Sequence, residues 1–234
     1  VDEEIDGSGK LAIPGLINGH FHSPANLMKG SLSGLPLEIF MLYEVPPLSD
    51  LPPPPRLVYI RTLLGAIEML KRGITSVQDD AFFVPYPDTA SINALMNAYG
   101  DSGMRATVAL DQPNVLEYDK YPYLSDILPE TICNEMASAT IQSTAELTEL
   151  YRAFIEKWHG ARDGRLETAV SCSAPHRVTP EYLNILSKMS RDKEIPFYIH
   201  VLETKVQRVF GERKLGQSLI QYTKNQNILD HHVN

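Results

Sequence analysis

Cysteine is nearly absent from this 234-residue chain: Cys133 and Cys172 are the only two, and they lie far apart. That spacing excludes a Cys-x-x-Cys metal pair and fits reduced thiols of a cytoplasmic protein better than a disulfide framework. No apolar run approaches the roughly 18 residues of a membrane span, and Val1 opens no basic-then-apolar leader. Positive charge is in deficit: 21 lysines and arginines face 29 aspartates and glutamates, a net charge of -8. Nothing therefore offers the basic footprint of a nucleic-acid partner. A Gly-x-Gly-x-x-Gly turn is also missing, which argues against a dinucleotide-binding open sheet. What is present, 43% hydrophobic and 21% charged residues, is ordinary for a globular chain with a large core.

Glu3 to Leu11 reads as a hairpin end turning at Gly7 and Gly9. Pro14 to His22 follows as a strand, and alternation of faces puts His20 and His22 on one side and Phe21 on the other. The long connection from Ser23 to Pro55 is expected to cover an active site. Arg56 to Arg72 is helical by its apolar spacing and stops at Gly73; Ile74 to Gln78 is a strand running into Asp79 and Asp80. A helix over Ala90 to Tyr99, a strand Arg105 to Leu110 ending in Asp111, and an irregular stretch Gln112 to Thr144 come next. Then follow a helix Glu146 to Trp158, a strand Leu166 to Cys172, and a helix Pro180 to Arg191 capped by Thr179. Pro196 to His200 is a strand, Leu215 to Tyr222 a helix, and Ile228-Leu229 a last strand reaching His231 and His232. Such alternation predicts an α/β protein with a parallel sheet. The polar residues gather at strand ends, as on the C-terminal rim of a (β/α)8 barrel, of which about strands 1–6 are present.

A lone His-x-His pair reads as readily as polar surface, and His200 alone as a histidine satisfied by a carbonyl. His200 followed at three residues by Glu203 offers more: a metal ligand beside a carboxylate able to shuttle protons. His231 supplies a fourth imidazole, while His232 should point away. His176, between strand and capped helix, faces the same opening and could orient a substrate; loop placement is its plainer reading. His159, at a helix C-terminus on the opposite rim, stands outside the site. Phe40, Tyr43, Phe82, Phe83 and Tyr86 are candidates to stack on a flat ring, or simple packing anchors.

Pro14 to His22 resembles the Pro-Gly-x-x-Asn-x-His-x-His signature of the amidohydrolase superfamily, in its branch of chlorohydrolases, guanine deaminases and adenosine-type deaminases. Ile74 to Asp79, Ala174 to His176, Ile199 to Thr204 and Asp230 to Val233 are similar to that branch's later strand segments, in order. The resemblance implies one divalent metal, zinc foremost and iron as the alternative, held by His20, His22, His200 and His231. It implies Glu203 as proton carrier and His176 as substrate contact. It also implies hydrolytic deamination of a small nitrogen heterocycle, with dechlorination or cyclic-amide hydrolysis as alternatives for the same machinery. Residues 1–13 would then be a remnant of a flanking β-sandwich, and 14–234 a partial TIM-barrel domain. The family's aspartate after strand eight has no counterpart before Asn234, so the chain is expected to be the middle of a longer protein. Weak metal occupancy, an inactive metal-binding form and association into a homo-oligomer through open sheet edges are further expectations.

Overall fold

The computed structural model describes residues 3–49, 51–139 and 141–229. Strands β1 (Leu16–Phe21), β2 (Ile74–Phe82), β3 (Arg105–Asp111) and β4 (Leu166–Thr168) pair in that order, all parallel. β5 (Val170–Ser171) pairs in parallel with β6 (Phe197–Tyr198). Only Ala169 separates β4 from β5, and its N–H donates to the Val108 carbonyl at 2.8 Å, so the two are one strand that bends. Five barrel positions are thereby filled in sequence order, with helices between them.

Each strand has two faces with different fates. Val77, Val108, Leu110, Leu166, Val170 and Phe197 point outward into a single core. They pack there against α2 (Pro55–Leu70), α3 (Thr89–Ser102), α6 (Thr144–Trp158) and α8 (Pro180–Lys193). The opposite faces point into the barrel, where Ala109, Ala169 and Tyr198 form a small second cluster. The helices begin where local chemistry says they should. Ser143 and Glu146 close a reciprocal capping box on α6, and Thr179 accepts from the Tyr182 N–H at the start of α8. Gly73, at φ +78°, stops the chain behind α2. Gly65 lets α2 lie on the ring of Phe21, whose Cζ would stand 3.0 Å from an added Cβ. That contact seats β1 and orients the two histidines flanking Phe21.

The connection after β1 is not a bare loop. A 3-10 turn (Ser23–Met28) leads to α1 (Leu37–Glu44), which lies over the C-terminal ends of the strands. Glu38 of α1 accepts from the hydroxyl of Thr204, the residue capping α9 (Lys205–Phe210), so this cover is tied to the segment after β6. The Gln112 to Thr144 stretch holds a 3-10 turn (Glu117–Lys120), α4 (Leu124–Ile127) and α5 (Glu130–Ala137). α7 (Ala161–Gly164) is a single turn, and α10 (Leu219–Asn225) is the last helix described.

Two expectations change. Gly7 and Gly9 do turn the chain, with Lys10 N–H donating to the Gly7 carbonyl at 3.0 Å, but among the described residues no paired strands flank that turn. Ile228-Leu229 belongs to no strand among the described residues, because no neighbouring strand offers it backbone partners. His231 and His232 lie outside the described residues.

Candidate metal centre and cavity

Three imidazoles from opposite ends of the sequence meet at the mouth of the barrel. His20 and His22 leave the end of β1 on the same face, with ring centroids 4.7 Å apart, while Phe21 packs the other way. His200, two residues past β6, stands 5.0 Å from His20 and 5.2 Å from His22, centroid to centroid.

Hydrogen bonds decide which nitrogen each ring presents. Nδ1 of His22 lies 2.6 Å from the Asp80 carbonyl, and Nδ1 of His200 lies 2.9 Å from the Ser173 carbonyl. A carbonyl only accepts, so both Nδ1 atoms donate and both Nε2 atoms keep a free lone pair. Nε2 of His200 faces Nε2 of His20 at 3.4 Å. Two nitrogens at about 2.05 Å from one tetrahedral zinc stand roughly 3.3 Å apart. The donor set therefore fits a divalent metal, and the carbonyl bonds hold the rings as outer partners of metal-bound histidines do. Partial burial, with His22 and His200 alongside, lowers the pKa of His20 and favours the neutral, ligating form.

Two aspartates adjoin the trio. Ligand atoms of His22, Asp80 and Asp111 all lie within 4.8 Å of one another. Asp80 Oδ2 accepts from Ser171 Oγ at 3.1 Å, while Oδ1 of Asp80 and Oδ1 of Asp111 are buried without partners. Burial, with Asp111 beside it, pushes the Asp80 carboxyl well above its ordinary range. Asp79 has a different task. It points into the core, where it accepts from Ser23 N–H at 2.9 Å and Tyr99 hydroxyl at 2.8 Å and so pins the turn after His22. Sequence reading placed Asp79, Asp80 and Asp111 at strand ends without giving any of them a role. Register supplies the missing signal: Phe21 pairs with Asp79, so Asp79 shares Phe21's outward face and Asp80 that of the histidines.

A cavity of about 520 Å³ opens on the three histidines and extends beneath α1. Glu203 lines it, its carboxylate taking a 3.0 Å bond from Gln207 Nε2. Phe40, Phe82 and Phe83 also line it, whereas Tyr43 is 61% exposed and Tyr86 stands apart from the cavity. Glu44 and Arg177, unmarked in the sequence reading, complete its polar wall. Burial raises the Glu44 carboxyl. His176 occupies a separate small cleft beside Lys120 and Arg177, with its ring 5.1 Å from Phe210. Burial, then the two neighbouring cations, lower its pKa to about 3. His176, close to β5 in sequence, therefore lines this cleft and not the cavity that opens on the histidine trio, while Arg177 lines both.

Comparison with known proteins accords with this geometry. The model of the amidohydrolase family matches residues 11–214. A 5-methylthioadenosine/S-adenosylhomocysteine deaminase of Archaeoglobus fulgidus is 33% identical over 217 residues, covering 90% of this chain and 44% of that protein. A 5'-deoxyadenosine deaminase of Methanococcus vannielii is 26% identical over 215 residues, covering 91% of this chain and 43% of its own length. The chain spans less than half the length of these relatives. Among solved structures, a triazine hydrolase of Arthrobacter aurescens superposes with a TM-score of 0.79 at 17% identity, covering 94% of this chain and 47% of that one. An adenosine deaminase of Xanthomonas campestris with bound zinc gives 0.72 at 21%, covering 94% and 43%. These likenesses show a shared α/β barrel fold. With its matched segment and its ordered histidine motifs, the chain belongs to the amidohydrolase family.

Proposed function

We propose that this chain carries the metal-binding and proton-transfer groups of a hydrolase that deaminates a small aminated nitrogen heterocycle, with adenosine-type rings as the leading class. The observation carrying the reading is the convergence of three imidazoles, two with assigned free Nε2 lone pairs, beside Glu203 on one cavity. Family members use a divalent metal, and here His20, His22 and His200 would hold it, zinc foremost, with His231 as the fourth imidazole. Such a metal supplies a water whose pKa falls towards roughly 7.

The chain's own residues do the rest. Phe40, Phe82 and Phe83 present apolar faces to a flat ring and exclude bulk water from it. Glu203 takes the proton from the attacking water and hands it to the leaving amine, so that a C–O bond replaces the C–N bond and ammonia departs. Gln207 holds that carboxylate in place through its side-chain amide. His176, neutral and buried, backs the cavity wall at Arg177. The free, distant Cys133 and Cys172 support a cytoplasmic location. Pairing of copies through the edges of β1 and β6, which have no partner strand among the described residues, belongs to the same proposal, and light scattering reads it.

The test is ammonia release from adenosine, 5'-deoxyadenosine and guanine by the zinc-loaded chain, with chloride release from a chlorotriazine in parallel. Glu203→Gln should cut ammonia release by about 10²-fold or more while leaving bound zinc unchanged. Zinc binding without release of ammonia from any ring would refute the deaminase reading, and chloride release alone would replace it with dechlorination.

A further inference from the structure

The helix that covers the cavity is fastened to the barrel by one side chain, and that fastening leads to Glu203. α1 buries none of its residues, so it has no core side chain of its own to hold it down. Leu37, Phe40, Met41 and Glu44, spaced along one face, line the cavity instead. Among the described residues, the one side-chain hydrogen bond from α1 to the rest of the chain is that of Glu38, which accepts from the Thr204 hydroxyl. Thr204 directly follows Glu203.

Thr204 passes the contact on. Its hydroxyl donates to Glu38 and accepts from the Gln207 N–H at 3.4 Å, which caps α9. A hydroxyl that donates to a carboxylate is polarised into a better acceptor, and its rotor is fixed with a lone pair towards the amide. Gln207, 5% exposed, then grips Glu203 at two points. Its Oε1 accepts from the Glu203 N–H at 3.1 Å, and its Nε2 donates to Glu203 Oε2 at 3.0 Å. A backbone N–H only donates, so the side-chain amide has one orientation, with its nitrogen turned to the carboxylate. The segment needs such a brace: Leu202, just before Glu203, stands at φ +57°, a left-handed conformation that leucine enters only against strain.

We propose that Glu38 is a positioning residue: by fastening α1 to Thr204 it holds the Thr204–Gln207 brace that aims the Glu203 carboxylate, so the carboxylate is aligned only while the cavity is covered. This rests on the reading of Glu203 as the proton carrier. The arrangement joins enclosure to alignment. With α1 closed, bulk water is kept from the cavity at the moment the carboxylate is in place, and with α1 lifted the carboxylate loses its aim.

Amide exchange followed by nuclear magnetic resonance tests the coupling without metal or turnover. Glu38→Leu removes the acceptor and keeps the bulk. It should speed exchange at the Glu203 and Gln207 amides at least about tenfold and leave Leu110, in the core, within about twofold, which also shows that the variant is folded. Glu38→Gln keeps an acceptor oxygen for Thr204 without the charge, and should stay within about threefold of the parent at all three amides. In a Thr204→Val background the brace is already lost, so Glu38→Leu should add less than about twofold. Unchanged exchange at Glu203 and Gln207 in Glu38→Leu, equal speeding by Glu38→Gln, or full additivity with Thr204→Val would overturn the inference. In the zinc-loaded chain, Glu38→Leu should lower kcat for ammonia release about tenfold with KM within about threefold, and an unchanged kcat would overturn it too. The deaminase reading fails separately: absence of ammonia release from the parent chain refutes that reading alone and leaves the exchange measurements to decide the brace.

Discussion

Removing one oxygen atom from the core should cost this protein a large part of its stability. Tyr151 of α6 is 1% exposed, and its hydroxyl enters the gap where β3 and the bent β4-β5 strand part company. Ladder pairing ends at Val108 with Thr168. Beyond it, the hydroxyl accepts from Leu110 N–H at 2.9 Å and Ser171 N–H at 3.0 Å, and donates to the Leu110 carbonyl. One donor and two acceptor sites are all used. Tyr151→Phe keeps the ring and its packing but strands two buried amides, each costing about 1–3 kcal/mol. A total loss of about 3 kcal/mol is expected, which for a domain of this size lowers Tm by about 6–12 °C. Calorimetry with urea titration reads the total, and amide exchange at Leu110 and Ser171 reads the location. Loss below about 1 kcal/mol, with unchanged protection at those two amides, would refute the bridging role. Because Ser171 also holds Asp80, the same variant should loosen the neighbourhood of His22.

Other expectations concern the site and its supports. His200→Ala should reduce bound zinc by at least about tenfold after dialysis against trace metal, read by atomic emission; full occupancy in that variant would show that the centre is misplaced. His176, with a pKa lowered to about 3, stabilises the fold only while neutral, so its contribution is complete above about pH 6.5 and is lost as pH falls towards 3. His176→Gln should flatten the urea-derived stability curve between pH 6 and 4 by up to about 1.4 kcal/mol per pH unit, and a curve parallel to the parent's would contradict this. Burial raises the Asp79 carboxyl, so its folded-state pKa lies above the unfolded one and stability is lost as pH rises through it. Tyr99→Phe removes a bond that eases that ionisation, and should cost about 2 kcal/mol at pH 7 but less at pH 4; equal Tm losses at both would count against it.

Much of the fold follows from local pattern. Apolar spacing marked α2 to within a few residues, because a helix must bury one stripe whatever lies beneath it, and α3, α6 and α8 also fall close to the helices read from sequence. Thr179 and Pro180 marked the start of α8 because capping is a bond between near neighbours. Alternation alone put His20 and His22 on one face and Phe21 on the other, and spacing after β6 put Glu203 within reach of His200.

Relations between distant segments were decided only by the folded chain. Asp80 and Asp111 join the histidine trio because the β1–β2 and β2–β3 registers bring inward faces level, and register is a property of paired strands. Arg177 takes the wall and His176 the cleft behind it because β5 bends into a loop whose packing against Phe210 no local pattern encodes. The free lone pairs of His22 and His200 depend on carbonyls 58 and 27 residues away. The amino-acid order by itself determined which residue types stand at strand ends and which face they take. Tertiary structure decided which of them meet, since periodicity reaches one element at a time whereas a metal centre is assembled from several.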